Sequence, residues 1–249
     1  MNVKKLLDGD IIEQYNDQLF WYASKVIIKD KKVKVYIDNQ NLVTFDDVNI
    51  NVKKISEFKN NKQENLEYMN NVLISSGSFL FINDKLAVTQ RELTTNFDPG
   101  FWTTPAGRCD RTILETGIKE TIEEIEIKRD NTTLFPDIAK QFISNQNNVE
   151  FYNTSFENPN LPLKTYEISL YLDNILIEEC KSWMYVSEKV NTIEFRIPIF
   201  VELNEDDLTF KNPEFGTDTG LKSIEELKKL DLVPALKQLI KEIDNGQDK

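Results

Sequence analysis

The sequence predicts a mixed α+β or α/β sandwich, because segments with strand and helix patterns alternate along the chain. Residues 19 to about 56 and residues 165–203 are rich in β-branched and aromatic side chains. Residues 112–127 lie between them and have apolar residues at helical spacing, and residues 223–243 have a similar pattern. The order strands, helix, strands, helix is typical of a sheet covered by helices.

The first strand-rich part contains a hairpin pattern. Residues 26–28 and 33–37 are apolar or alternating runs, and four charged residues separate them. Residues 57–70 are strongly polar, and we interpret them as a linker or a short exposed helix. We therefore expect a small β-rich N-terminal segment or domain at residues 1–72, followed by a second domain at residues 73–249.

The second part begins with a strand, a turn and a strand. Residues 78–82 and 85–91 have strand character and flank the turn pair Asn83-Asp84. Near the C-terminus, Pro234 either opens a second helix or kinks a longer one.

Composition excludes several classes of function. The 249 residues are 40% hydrophobic, enough for a buried core, and no stretch approaches the ~18 apolar residues of a transmembrane helix. The N-terminus lacks the apolar segment of a secretory signal, so we expect a cytoplasmic protein in which Cys109 and Cys180 are free thiols. The net charge of -12 opposes nonspecific binding to nucleic acid or to a membrane surface.

Histidine is absent from the chain, which removes Ser-His-Asp and Cys-His catalysis and every histidine metal site. Carboxylate chemistry is the main alternative, and oxygen ligands select hard cations such as Mg²⁺ or Mn²⁺. Such a cation would also let an acidic protein bind a small polyanionic substrate.

The helix predicted at residues 112–127 has two distinct faces. Thr112 and Glu115 have the spacing of a capping box at its start. An apolar stripe follows at helical spacing and must pack on the core; it contains Leu114, Ile118, Thr121, Ile122 and Ile125. A second sector, roughly opposite, contains Glu120, Glu123 and Glu124.

These three glutamates have two interpretations. Residues three and four apart are neighbours on a helix, so the carboxylates repel one another until a cation binds among them. Taken alone, the pattern favours a solvated acidic face, because glutamate is a strong helix former.

The residues before this helix favour a metal site. Pro105-Ala106-Gly107-Arg108-Cys109-Asp110, followed by Lys119-Glu120-Thr121-Ile122-Glu123-Glu124, resembles the box of the Nudix superfamily. The preceding strand–turn–strand ending at Arg91 and the segment from Trp102 to Gly107 match the order of that family. The resemblance covers about residues 73–245 and implies a Nudix-type α/β/α sandwich with a mixed sheet.

The resemblance implies hydrolysis of a pyrophosphate bond in a nucleoside diphosphate linked to another moiety, such as ADP-ribose or a dinucleotide. It implies that Glu120, a metal ligand or base, and the paired ligands Glu123 and Glu124 hold Mg²⁺ or Mn²⁺. It also implies that Gly107 turns the backbone so that its carbonyl can approach the metal.

The chain departs from the family pattern at several positions. Ala106 replaces a glycine, Lys119 stands where arginine is usual, and Glu126 replaces a glycine near the end of the box. The interval from Gly107 to Lys119 is two residues shorter than usual. The alternatives are therefore a catalytically inactive Nudix-fold module that binds nucleotides or regulates, and a structural or interaction protein.

Other residues are weaker candidates. Arg91, Arg108 and Lys119 could contact phosphate, and Trp102 could stack on a base, although we favour a core position for Trp102. A small nucleotide-type substrate is the expected partner, and a homodimer is an open expectation. An additional carboxylate from later segments could complete the site; the candidates are Glu188, Glu194, Glu202, Glu214 and Asp218.

Overall fold

The computed structural model describes residues 19–44, 65–130, 132–135, 138–139, 153–155, 158, 161, 163–187, 192–205, 208–211 and 216–247. Most of them lie in strands. The strands are β1 Leu19–Lys29, β2 Lys32–Thr44, β3 Asn65–Ile82, β4 Lys85–Arg91, β5 Trp102–Thr103, β6 Ala106–Arg108, β7 Glu126–Arg129, β8 Thr132–Thr133, β9 Asn153–Ser155, β10 Tyr166–Leu172, β11 Ile175–Ser187, β12 Thr192–Glu202, β13 Thr209–Lys211 and β14 Gly216–Ser223. The helices are α1 Ile113–Glu124, α2 Ile224–Leu227 and α3 Pro234–Gln247.

One large mixed sheet contains most of these strands. Its order is β14-β4-β3-β1-β2-β10-β11-β12-β9, and β12 also pairs with β3. The pairs β2–β10 and β3–β12 are parallel, whereas the other pairs along this order are antiparallel. The second pairing of β12 closes a ring of six strands, β3-β1-β2-β10-β11-β12. The predicted mixed α and β class is confirmed.

The N-terminal hairpin lies inside this sheet. Strands β1 and β2 meet at a turn where Asp30 and Lys31 have φ of 49° and 61°, the left-handed values that a tight hairpin turn requires. The hairpin predicted at residues 26–37 is confirmed. The expected boundary at residue 72 falls within β3, and the division into residues 1–72 and 73–249 stays a prediction.

The polar segment before residue 72 differs from expectation. The interpretation of residues 57–70 as a linker or short exposed helix is wrong for residues 65–70, which form the first third of β3. They pair antiparallel with β1, so that Leu66 is opposite Ile28 and Met69 is opposite Lys25. Residues 57–64 lie outside the described residues.

The core has two parts on opposite faces of the sheet. Along β3, Leu80 and Ile82 belong to one apolar cluster, and Phe79 and Phe81 belong to the other. The first cluster contains the buried face of α1, and the second contains that of α3. The sheet is therefore covered by a helix on each face, as a sandwich requires.

Two details of the helices follow the sequence. Pro234 opens α3, where its missing N–H costs no hydrogen bond. The helix predicted at residues 112–127 ends earlier, because Ile125 adopts an extended conformation and β7 begins at Glu126. No helix among the described residues is both long and apolar enough to cross a membrane.

Helix α1 packs closely on β3 because small residues line the contact. The Ser76 hydroxyl donates to the carbonyl of Ile113 at 2.7 Å, and the hydroxyls of Ser78 and Thr121 are 2.5 Å apart. A Cβ placed on Gly117 would lie 2.8 Å from the carbonyl oxygen of Gly77. This contact fixes the rotation of α1 about its axis and hence the direction of its glutamates.

Candidate functional site

The start of α1 is the capping box that the sequence predicts. The Thr112 hydroxyl accepts from the backbone N–H of Glu115 at 3.3 Å, and the Glu115 carboxylate accepts from the backbone N–H of Thr112 at 3.4 Å. Glu115 is buried and acts as a cap. It therefore does not contribute to the acidic face.

A second carboxylate, Glu178 of β11, also binds the start of α1. Its two oxygens accept from the backbone N–H groups of Ile113 at 2.7 Å and Leu114 at 2.9 Å. Burial raises the pKa of Glu178 to about 7, against the lowering effect of those hydrogen bonds. Sequence reasoning missed Glu178, because its role depends on a strand that is more than sixty residues away in the chain.

The glutamate face of α1 begins at Glu120, whose carboxyl group lies against Gly107. A Cβ placed on Gly107 would be 2.3 Å from the Glu120 carboxyl carbon, so only glycine leaves room for the carboxylate. The Gly107 carbonyl accepts from the Ser75 hydroxyl at 2.8 Å, which anchors β6 to β3. Gly107 and Glu120, which the family resemblance pairs, are therefore in direct proximity.

Lys119 lies among the acidic side chains. Its Nζ is 3.8 Å from Asp110 Oδ2, 3.9 Å from Glu120 Oε1 and 3.7 Å from Glu123 Oε2. The side chains of Lys119, Glu120 and Glu123 are 16%, 14% and 27% exposed. The three carboxylates thus converge on one positive charge that is largely shielded from water.

Asp110 belongs to the same group through Arg111. The Arg111 guanidinium donates from Nε to Oδ1 at 2.8 Å and from Nη2 to Oδ2 at 3.0 Å. Burial alone would raise the pKa of Asp110, but the hydrogen bonds from Arg111 and the charge of Lys119 outweigh it and lower the pKa. Asp110 therefore stays ionised between two cations.

The residue types fit a hard cation, because carboxylate and carbonyl oxygens are the ligands that Mg²⁺ and Mn²⁺ prefer. The cradle of Gly107 under Glu120 agrees with this. In the described part of the chain, however, no group of three or more acidic or cysteine side chains is arranged to hold a metal ion. The position at which Asp110, Glu120 and Glu123 converge is held by the Lys119 ammonium.

The predicted substrate-binding residues lie at several places. Arg108 follows Gly107 in β6, and side chains alternate along a strand, so Arg108 leaves the sheet on the face opposite Glu120. Its charge lies near the hydroxyl of Tyr22. Burial raises the pKa of Tyr22, and the charge of Arg108 offsets part of that rise. Arg91 ends β4, where its backbone N–H donates to the Phe101 carbonyl.

Trp102 is a core residue. It is 7% exposed, and its backbone N–H and carbonyl pair with Asp231 and Val233. The Nζ of Lys222 lies 5.1 Å from the centre of its ring. Stacking of Trp102 on a base, the alternative to a core position, stays a prediction.

The candidates for an additional carboxylate are at several positions of the chain. Glu188 and Glu214 lie outside the described residues. Glu194 forms an ion pair with Arg196 at 2.8 Å, and both alternate with β12 residues that pack in the cluster containing α1. Glu202 is exposed at the end of β12, and Asp218 is exposed in β14.

Comparisons with known proteins give matches at the level of structure alone. No family model and no curated protein matches the sequence. A bifunctional NMN adenylyltransferase/ADP ribose pyrophosphatase from Francisella tularensis, solved with AMP and a Mn ion, matches with 15% identity and a TM-score of 0.44. The match covers 70% of this chain and 42% of that one, so this chain spans less than half of its length.

Two further solved structures are similar. A NUDIX hydrolase from Nitrosomonas europaea has 14% identity and a TM-score of 0.41, covering 73% of this chain and 77% of the other. An Ap4A hydrolase from C. elegans has 11% identity and a TM-score of 0.36, covering 70% and 98%. NUDIX hydrolases recur among the similar structures. Because these TM-scores are below 0.5, no activity is inferred from them.

Proposed function

We propose that this protein is a metal-dependent hydrolase of Nudix type, which cleaves the pyrophosphate bond in a nucleoside diphosphate linked to another moiety. ADP-ribose and dinucleotides are examples of that substrate class. The observation that carries the proposal is the position of Glu120 against Gly107, with Glu123 near the same Lys119 ammonium, on a helix whose rotation is fixed by close packing. The box-like sequence around these residues supports the same reading.

In this proposal Glu120, Glu123, Glu124 and the Gly107 carbonyl hold Mg²⁺ or Mn²⁺. The cation supplies charge neutralisation for the diphosphate and activation of water. The chain itself keeps the carboxylates in place through the capping box and the contact of α1 with β3.

The reaction consumes one water molecule. The water oxygen bonds to one phosphorus, the bond from that phosphorus to the bridging oxygen breaks, and the bridging oxygen leaves with the other phosphate. A carboxylate at the position of Glu120 can accept the proton that the water loses. Arg91 and Lys119 are the cations that we propose for binding the phosphates, whereas Arg108 leaves the sheet on the face opposite Glu120.

A second candidate is a nucleotide-binding module without turnover. The observation that favours it is the ammonium of Lys119, which occupies the point where three carboxylates converge. The loop that is two residues shorter than the usual box points in the same direction. This candidate predicts nucleotide binding without product.

A substrate panel tests the proposal. The protein is incubated with Mg²⁺ or Mn²⁺ and with ADP-ribose, NAD(H), dinucleoside polyphosphates, capped RNA or oxidised dNTPs, and release of a nucleoside monophosphate is measured. The double variant Glu123→Gln, Glu124→Gln should lose activity. The matched control is Glu167→Gln, Glu179→Gln, which removes two exposed carboxylates of β10 and β11 and should stay active.

Each outcome selects one interpretation. Metal-dependent turnover that the double variant lacks supports hydrolysis at this site, whereas turnover unaffected by the double change contradicts the site. Binding of nucleotide without product supports the second candidate. Absence of both Mn²⁺ binding and a nucleotide-induced thermal shift would support a structural or interaction protein.

A further inference from the structure

The ammonium group of Lys119 is surrounded by acids from two parts of the chain. Asp110 comes from the loop before α1, whereas Glu120 and Glu123 come from α1 itself. All three distances from Nζ to oxygen lie between 3.7 and 3.9 Å, beyond direct hydrogen-bond contact. The ammonium is therefore shared by three carboxylates and is not bound closely to one.

We propose that Lys119 is an internal counter-ion, which holds the cation position among Asp110, Glu120 and Glu123 and competes with a divalent cation for these carboxylates. The inference deepens the proposed function and rests on it, because it takes Glu120 and Glu123 to be metal ligands.

Electrostatics give the counter-ion its effect. Carboxylates at the spacing of Glu120 and Glu123 repel each other, and the repulsion is strong where water is scarce. Lys119 is 16% exposed, so its charge is poorly screened. The ammonium therefore stabilises the metal-free arrangement, and a divalent cation must displace it.

The chemistry of lysine permits that displacement. The ammonium is carried on a flexible four-carbon stem, whereas an arginine fork is held by planar, bidentate contacts. Asp110 already accepts two hydrogen bonds from Arg111, so it keeps a cationic partner when Lys119 leaves. The lowered pKa of Asp110 agrees with this, because part of its cause is the charge of Arg111 itself.

Mn²⁺ binding to the full chain tests the proposal. The affinity is measured by electron paramagnetic resonance of free Mn²⁺ for wild type, for Lys119→Met and for Lys128→Met. Lys128 is the matched control, because it is a cation on nearby β7 that pairs with Glu126 at 2.7 Å, and its loss changes the net charge equally. We expect Lys119→Met to bind roughly tenfold more tightly and Lys128→Met to bind like wild type.

A metal-free measurement accompanies the titration. Without metal, Lys119→Met should melt a few degrees below wild type, because its carboxylates repel one another. Bound Mn²⁺ should remove this difference in melting temperature. If the methionine variant does not fold, Lys119→Gln, which is also neutral, takes its place with the same expectation. A merely structural role of Lys119 predicts weaker Mn²⁺ binding, which is the opposite sign.

The outcomes separate this inference from the proposed function. Equal or weaker binding by Lys119→Met, with wild type still binding Mn²⁺, overturns the counter-ion and leaves the proposed function standing. If Lys119→Met binds Mn²⁺ and wild type does not, the result supports the counter-ion and contradicts a metal-dependent wild-type enzyme. Absence of binding by both proteins overturns both proposals.

Discussion

The carboxyl group of Glu120 occupies the space that a Cβ on Gly107 would need. The clash with the Glu120 carboxyl carbon would be at 2.3 Å. Because the clashing atoms end a flexible side chain, we expect Gly107→Ala to fold but to turn Glu120 away from its place. Metal-dependent turnover should fall by about tenfold or more, since a small displacement of a ligand costs much of its contribution. Steady-state kinetics and Mn²⁺ titration measure the effect.

Gly220→Ala is the matched control for that variant. The same methyl group added at Gly220 meets no atom within 4 Å. It should leave both stability and turnover close to wild type. Equal turnover of Gly107→Ala and Gly220→Ala would mean that the position of Glu120 does not matter for the reaction.

The parts of the site that were predictable from sequence are local. A helix fixes which residues share a face, so the spacing of Glu120, Glu123 and Glu124 sets their common sector independently of tertiary contacts. The capping box at Thr112 and Glu115 is local too, because both partners lie within four residues. The turn at Asp30 and Lys31 follows for the same reason.

The parts that were missed depend on distant segments. The first third of β3 contains Asn65, Glu67 and Asn70, which are poor strand formers, and it is ordered by pairing with β1. Glu178 reaches the start of α1 from β11, and no local pattern marks it. The closure of the ring by β12 and β3 likewise joins segments more than a hundred residues apart.

The contact of α1 with β3 predicts the effect of Gly117→Ala. Alanine is the better helix former by about 1 kcal/mol, but the added methyl would lie 2.8 Å from the backbone oxygen of Gly77 and 3.1 Å from Ser76 Oγ. Neither neighbour can move freely, because Ser76 also donates to Ile113. We expect a net loss of about 1–3 kcal/mol in the free energy of unfolding, measured by urea denaturation. A variant as stable as wild type would show that α1 shifts easily on β3.

The ion pair of Asp110 and Arg111 is expected to stabilise the fold. Both side chains are more than nine-tenths buried, and Asp110→Asn removes a carboxylate that accepts two hydrogen bonds from Arg111. A cost of about 3 kcal/mol in the free energy of unfolding is expected, because a buried cation loses its counter-charge. Glu225→Gln is the control, since the Glu225 pair with Lys228 is largely exposed and should contribute little. Similar costs for both variants would contradict this reading of the Asp110 pair.

Glu178 predicts how stability depends on pH. Burial raises its pKa from 4.5 to about 7 in the folded protein, and the charge of Glu115 contributes. Cys109 and Cys180 also face Glu178, but burial raises the pKa of both thiols well above the usual value, so they stay neutral. An acid with a raised folded pKa contributes stability that is present at low pH and is lost as the pH rises.

The loss should therefore occur between about pH 4.5 and 7, and the shift corresponds to about 3 kcal/mol in the free energy of unfolding. Glu178→Gln cannot ionise, so this part of the pH dependence should disappear in the variant. The side-chain amide of the variant has one acceptor oxygen, so one of the two backbone N–H groups at the start of α1 loses its hydrogen bond. The resulting loss in the free energy of unfolding does not change with pH. Denaturant unfolding of both proteins at several pH values from 4.5 to 8 gives the difference, and parallel curves would contradict the raised pKa of Glu178.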